Sequence, residues 1–183
     1  MAVATGAALF GARARVHLAN TVPEEFAERL RARGAEVVRS GETYEESIQA
    51  AIADATKNNG IHLADGSWPG YTHAPHLVME GYTIMAEEMR AAFEESGAWP
   101  THVYLQAGVG GLAAAIAYMI RLNWKVQPEI IVVEPEAAPC IAESVAAGKL
   151  VTVEGPVSDM GRLDCKDASM LAFEVLRDAA DRF

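Results

Sequence analysis

Apolar positions along the chain follow two periods in alternation. Short β-branched runs at 14–18, 35–38, 61–64, 101–106, 129–133 and 150–153 read as strands. Between them lie longer alanine- and glutamate-rich stretches with apolar residues three and four apart, which read as amphipathic helices. The clearest spans 76–96, where Leu77, Met79, Tyr82, Met85, Met89 and Phe93 fall mostly at helical spacing. Further helices are expected from Pro23 to Gly34, from Thr43 to about Asn58, over 111–121, from Pro139 to Gly148, and over 167–182.

Local chemistry sets several of these boundaries. Pro23 with Glu24 and Glu25 supplies a fixed φ and negative charge where a helix begins. Thr43 followed by Glu46 makes a capping box. Gly34 and Gly148 stand where a left-handed residue ends a helix. Strand–helix alternation of this kind predicts an α/β fold, a mostly parallel sheet with helices on both faces. Gly60 and the glycine-, proline- and aromatic-containing loop 65–75 are the plausible hinges. They divide the chain into an expected smaller α/β subdomain at 1–60 and a larger one at 61–183.

Composition narrows the class. The 183 residues carry a formal charge of −10, and half of them are hydrophobic (51%). That apolar fraction is ample for a packed core. The negative charge argues against nucleic acid or an anionic membrane surface as partner, and no apolar run is long enough to span a bilayer. Two cysteines, Cys140 and Cys165, make no disulfide framework. A cytoplasmic location is expected, since the opening residues have no basic region of the kind that begins a signal peptide. His73-x-x-His76 has helical spacing, but Pro75 interrupts it and no further ligand stands nearby, so no metal site is expected.

The most informative turn is Gln106-Ala107-Gly108-Val109-Gly110-Gly111-Leu112-Ala113, joining a strand to a helix. Its glycines let backbone approach a ligand, and the helix start aims N–H groups at it. Three readings fit. The turn permits tight helix–sheet packing; or Gly108-x-Gly110-x-x-Ala113, with Glu134 after the next strand, is a relaxed dinucleotide fingerprint; or the turn cradles the phosphate of another cofactor. Its place behind several strands weighs against a dinucleotide turn, which usually follows the first strand of its domain. Asp65, just past a predicted strand, faces the ligand crevice of such a sheet, or else closes a local turn with Gly66.

Five separated segments, in order, carry a resemblance. They are Asp65-x-x-Trp68-x-Gly70-Tyr71, Met79-Glu80-Gly81-Tyr82-Thr83-Ile84-Met85-Ala86, Gln106-Ala107-Gly108-Val109-Gly110, Val133-Glu134-Pro135-Glu136-Ala137 and Met160-Gly161-Arg162-Leu163-Asp164-Cys165. Together they resemble the diaminopropionate ammonia-lyase family of the fold type II pyridoxal-phosphate (PLP) enzymes, two-lobed proteins that include threonine dehydratase and the tryptophan synthase β chain. The resemblance implies PLP as cofactor and α,β-elimination of 2,3-diaminopropionate to pyruvate and ammonia. It implies that Gly108, Val109, Gly110 and Gly111 bind the PLP phosphate and that Asp65 is the acid/base carboxylate. It also implies an amino acid as small-molecule partner, and neighbouring positions for Cys140 and Cys165.

One part of the family's equipment has no counterpart. PLP enzymes use a lysine that bonds the cofactor covalently, and Lys57, Lys125, Lys149 and Lys166 all lack the family's Ser-x-Phe-Lys context. The first eleven residues resemble the helix that follows the substrate-carboxylate loop in that family. The expectation is therefore a truncated form, matching about the middle half of a family member and inactive by itself. Unpaired sheet edges in such a piece predict a homodimer or larger assembly.

Overall fold

A computed structural model describes all residues, 1–183. They form two compact units, Met1–His62 and Leu63–Phe183. The first contains α1 (Ala2–Leu9), β1 (Arg15–Leu18), α2 (Glu24–Arg31), β2 (Glu36–Arg39) and α3 (Tyr44–Lys57). β1 and β2 pair in parallel, with Arg15 opposite Glu36 and Leu18 opposite Arg39. Their core is small: Ala4, Leu30 and Ala35 are buried, with Val16, Leu18 and Val37 against them.

Caps behave in this unit much as the residue types require. Glu46 N–H donates to Thr43 Oγ1 at 3.1 Å, and the Glu46 carboxylate accepts from Thr43 N–H at 3.4 Å, closing the predicted box. Gly34 has φ +79°. Pro23 sits one position earlier than expected, as the extended cap (ψ 144°) before Glu24.

The second unit contains α4 (His73–Ser96), β3 (His102–Gln106), α5 (Gly111–Asn123), β4 (Glu129–Val133), α6 (Cys140–Ala147) and α7 (Met170–Ala179). β3 and β4 form a second parallel pair, in register from His102 opposite Glu129 to Gln106 opposite Val133. Burial alternates along them: Leu105, Ile130 and Val132 point into the core, whereas Tyr104 is 66% exposed. α5 is the central helix, with Ala113, Ala114, Ala117 and Ile120 fully buried. Such small side chains let α4 and α7 approach it closely. Phe93, Trp99 and Trp124 close one end of this core, ring centroids 5.3 to 6.0 Å apart.

Four expected elements differ. The long helix begins at His73 rather than 76, because Pro75 lies in its first turn, where a missing N–H breaks no helical bond; it does not interrupt the His73–His76 spacing. Residues 61–64 are not a strand: they join no ladder and Ile61 is 94% exposed, so β-branched composition lacks the neighbouring strand that would make them one. Residues 150–153 contribute only the bridge Thr152–Asp167. The last helix is Met170–Ala179 rather than 167–182. Beyond it Ala180 turns extended (ψ 147°), and the chain docks beside β4, with Val132 N–H donating to Arg182 O and Asp181 N–H to Ile130 O, both at 2.9 Å.

Candidate functional site

β3 ends at Gln106, and its ladder runs one step further through Ala107 N–H to Val133 O at 2.9 Å. The chain then turns through Gly108, Val109 and Gly110 into α5. Gly110 has φ +94°, a conformation that favours glycine. It is also closed in: a Cβ there would stand 2.8 Å from Ile141 Cδ1 and 3.0 Å from Ala172 Cβ. Gly108 is packed on its other side, where a Cβ would meet Cys165 Sγ at 3.0 Å and Arg162 O at 3.2 Å. Both glycines therefore press the turn against protein and set its direction.

No side chain caps α5. The first four N–H groups of a helix have no partner inside it, so at this uncapped start they stand at the positive end of the helix dipole without a side-chain acceptor. The Asp65 segment runs alongside. A Cβ on Gly111 would lie 3.8 Å from Asp65 O, and one on Gly66 would lie 3.9 Å from Val109 Cγ1. Asp65 itself is exposed. Burial, reinforced by the Asp65 charge, holds the Tyr82 phenol above the usual tyrosine range. The structure thus brings together the five sequence-predicted residues Asp65, Gly108, Val109, Gly110 and Gly111.

The loop carrying Asp65 is fixed at both ends. Ala64 N–H donates to Tyr71 Oη at 2.9 Å, and Trp68 stacks on Tyr71 with centroids 4.4 Å apart. Ser67 is tied to Ser169, a residue 102 positions away, their hydroxyl oxygens 2.7 Å apart. Sequence reasoning did not single out either serine, because neither belongs to a motif and only the tertiary fold makes them neighbours.

Glu134 has a different task from ribose binding. Its two carboxylate oxygens accept the N–H groups of Ile141 and Ala142, each at 2.8 Å. Burial raises its pKa, although both bonds pull the other way. The Glu134 carboxylate thus serves the start of α6 as a cap, a structural role that explains its place after β4 without a ribose. Cys140 and Cys165 both lie beside Gly108 as thiols, with no disulfide between them. The Cys140 thiol donates to Gly108 O at 3.4 Å, and burial and the Glu134 charge push its pKa up. His73 and His76 are exposed on the first turn of α4, and no group of three His, Cys, Asp or Glu side chains is placed to hold a metal ion.

All of residues 1–183 match the family described as pyridoxal-phosphate dependent enzyme. The chain belongs to that family. Diaminopropionate ammonia-lyase of Escherichia coli K12 is 31% identical over 183 residues, covering 99% of this chain and 46% of the relative. The crystal structure of holo diaminopropionate ammonia-lyase from Escherichia coli superposes with a TM-score of 0.89 at 31% identity, over 97% of this chain and 45% of that one. Threonine deaminase of T.th. superposes at 0.83 with 27% identity, over 98% of this chain and 55% of that one. This PLP-dependent family member thus spans about half the length of these relatives, and its α/β fold is that of the fold type II enzymes.

The residues present suit PLP. A glycine turn that opens an uncapped helix after a parallel strand offers several N–H donors to a phosphate dianion. No residue in the turn carries negative charge to oppose it.

Proposed function

We propose that this chain holds the phosphate-binding half-site of an amino-acid lyase of the diaminopropionate ammonia-lyase type, working in the cytoplasm. In this reading Met1–His62 belongs to the smaller, mobile lobe and Leu63–Phe183 to the larger lobe. The observation that carries it is the uncapped α5 start at Gly110 and Gly111, with the Asp65 main chain against it.

N–H groups of Gly108, Val109, Gly110 and Gly111 would hold the cofactor phosphate. PLP, when bound, supplies an electron sink for negative charge developing at the substrate α-carbon. Asp65 stands beside that anchor and exchanges a proton at the substrate. The whole reaction is α,β-elimination of one ammonia from 2,3-diaminopropionate, followed by hydrolysis by one water to pyruvate and a second ammonia.

We propose that none of the four lysines of these 183 residues is the covalent lysine and that the residues are inactive by themselves. Lys57, Lys125 and Lys149 are exposed. Lys166 Nζ is held by Asp164 Oδ1 at 2.7 Å, Ala137 O at 2.8 Å and Pro156 O at 3.1 Å. Self-association is part of the same reading, supported by apolar side chains left in solvent at Leu77, Ile84, Met85 and Tyr104.

Thermal unfolding with PLP and with NAD tests the cofactor, because a ligand of the folded state raises the midpoint. The expected result is a rise with PLP and none with NAD; the reverse overturns the reading. Borohydride reduction followed by intact-mass measurement tests the lysine. No added mass is expected, and a PLP adduct on any of the four lysines overturns the proposed inactivity.

A further inference from the structure

Ser67 and Ser169 are almost fully buried, at 4% and 2% exposure. Each does a job that its own helix or loop does not explain. Ser169 is the residue before α7, yet its side chain does not cap that helix. Ser67 caps it instead: Leu171 N–H donates to Ser67 Oγ, and Met170 N–H to Ser67 O, both at 2.9 Å. The freed Ser169 hydroxyl accepts Ser67 N–H at 3.0 Å, and the two hydroxyls share a further bond at 2.7 Å. Ser169 N–H then donates to Val109 O, inside the glycine turn, at 2.9 Å.

Three segments far apart in sequence are joined by these bonds: the Asp65 loop, the glycine turn and the α7 start. Both hydroxyls are shielded from water, so loss of one strands a backbone N–H that water does not readily reach. Asp65 is two residues from one end of the clamp, and Val109 is bonded to the other.

The geometry points to Ser67 and Ser169 as positioning residues that hold the Asp65 loop and the phosphate-binding N–H groups in one register. The inference rests on the phosphate reading of the turn. Its prediction is specific: weakening the clamp loosens anion binding and the turn itself, while the rest of α5 stays packed.

The test uses the 183-residue chain and its S67A and S169A variants. The probe is pyridoxine 5′-phosphate, which has no aldehyde and so cannot bond to lysine. Binding is followed by calorimetry, and amide exchange is measured at residues 108–111 and at 114–120. Each variant is expected to bind the probe about tenfold more weakly, the effect of one lost buried hydrogen bond. The S67A/S169A double variant should bind little more weakly than either single one, because the two hydroxyls act as one unit. Exchange should quicken at 108–111 and not at 114–120. Unchanged affinity with exchange quickened evenly across both stretches would show a purely structural pair and overturn the inference. Failure of the unsubstituted chain to bind the probe overturns the phosphate reading, and local exchange then judges the clamp separately. Should one single variant not fold, the other carries both readouts.

Discussion

Glu134 Oε1 lies 2.8 Å from Ile141 N, and its Oε2 is the same distance from Ala142 N. One side chain past the end of β4 therefore caps α6 from outside that helix, where Pro139 offers no side-chain oxygen of its own.

E134A removes both acceptors and leaves two N–H groups at a partly buried helix start. It should cost about 2–3 kcal/mol in chemical denaturation, the range for charged hydrogen bonds and helix caps. E134Q keeps one acceptor and should recover part of that loss. An E134A stability within about 0.5 kcal/mol of the unsubstituted chain would contradict this role.

Two neighbouring glycines should respond differently to alanine. G110A combines a left-handed backbone (φ +94°) with a Cβ 2.8 Å from Ile141 Cδ1. Strain and overpacking together predict a loss of about 2–4 kcal/mol. At Gly111 a Cβ meets only ordinary contacts, Met79 Cγ at 3.7 Å and Asp65 O at 3.8 Å. G111A should fold with stability close to that of the unsubstituted chain. Denaturant midpoints for the two variants check the contrast.

Asp181 gives a pH dependence of known sign. Its Oδ2 accepts Ile130 N–H at 2.7 Å and also pairs with Arg121, so its pKa lies below the ordinary aspartate range. A lowered folded-state pKa means stability that is present above the unfolded value, about 3.9, and is lost as pH falls through the folded one. The melting-temperature advantage of the unsubstituted chain over D181N should be constant from pH 7 to about 5. It should shrink below about pH 4. A difference that does not narrow on acidification would show that the Asp181 charge plays no part.

The exposed apolar side chains of α4, with Ile84 at 63%, predict self-association. Light scattering at micromolar concentration should give the mass of at least two chains. I84E should lower that mass; a monomer in the unsubstituted chain would remove this part of the proposal.

The sequence by itself determined the local elements. Thr43 and Glu46 form their box because both partners lie within one helical turn. Gly34 and Gly148 take positive φ because only a residue without Cβ does so cheaply. The strands 102–106 and 129–133 and the glycine turn between strand and helix were legible for the same reason: their signals are periodic or contiguous. Tertiary structure decided what depends on distant partners. Residues 61–64 look like a strand but have no strand beside them to complete a ladder. Nothing in the spacing of Glu134 showed that its two oxygens cap α6. Ser67 and Ser169 carry no pattern at all, yet 102 residues apart they form one buried unit. A hydrogen bond between distant segments leaves no trace in spacing, because its energy depends on geometry that only the folded chain creates.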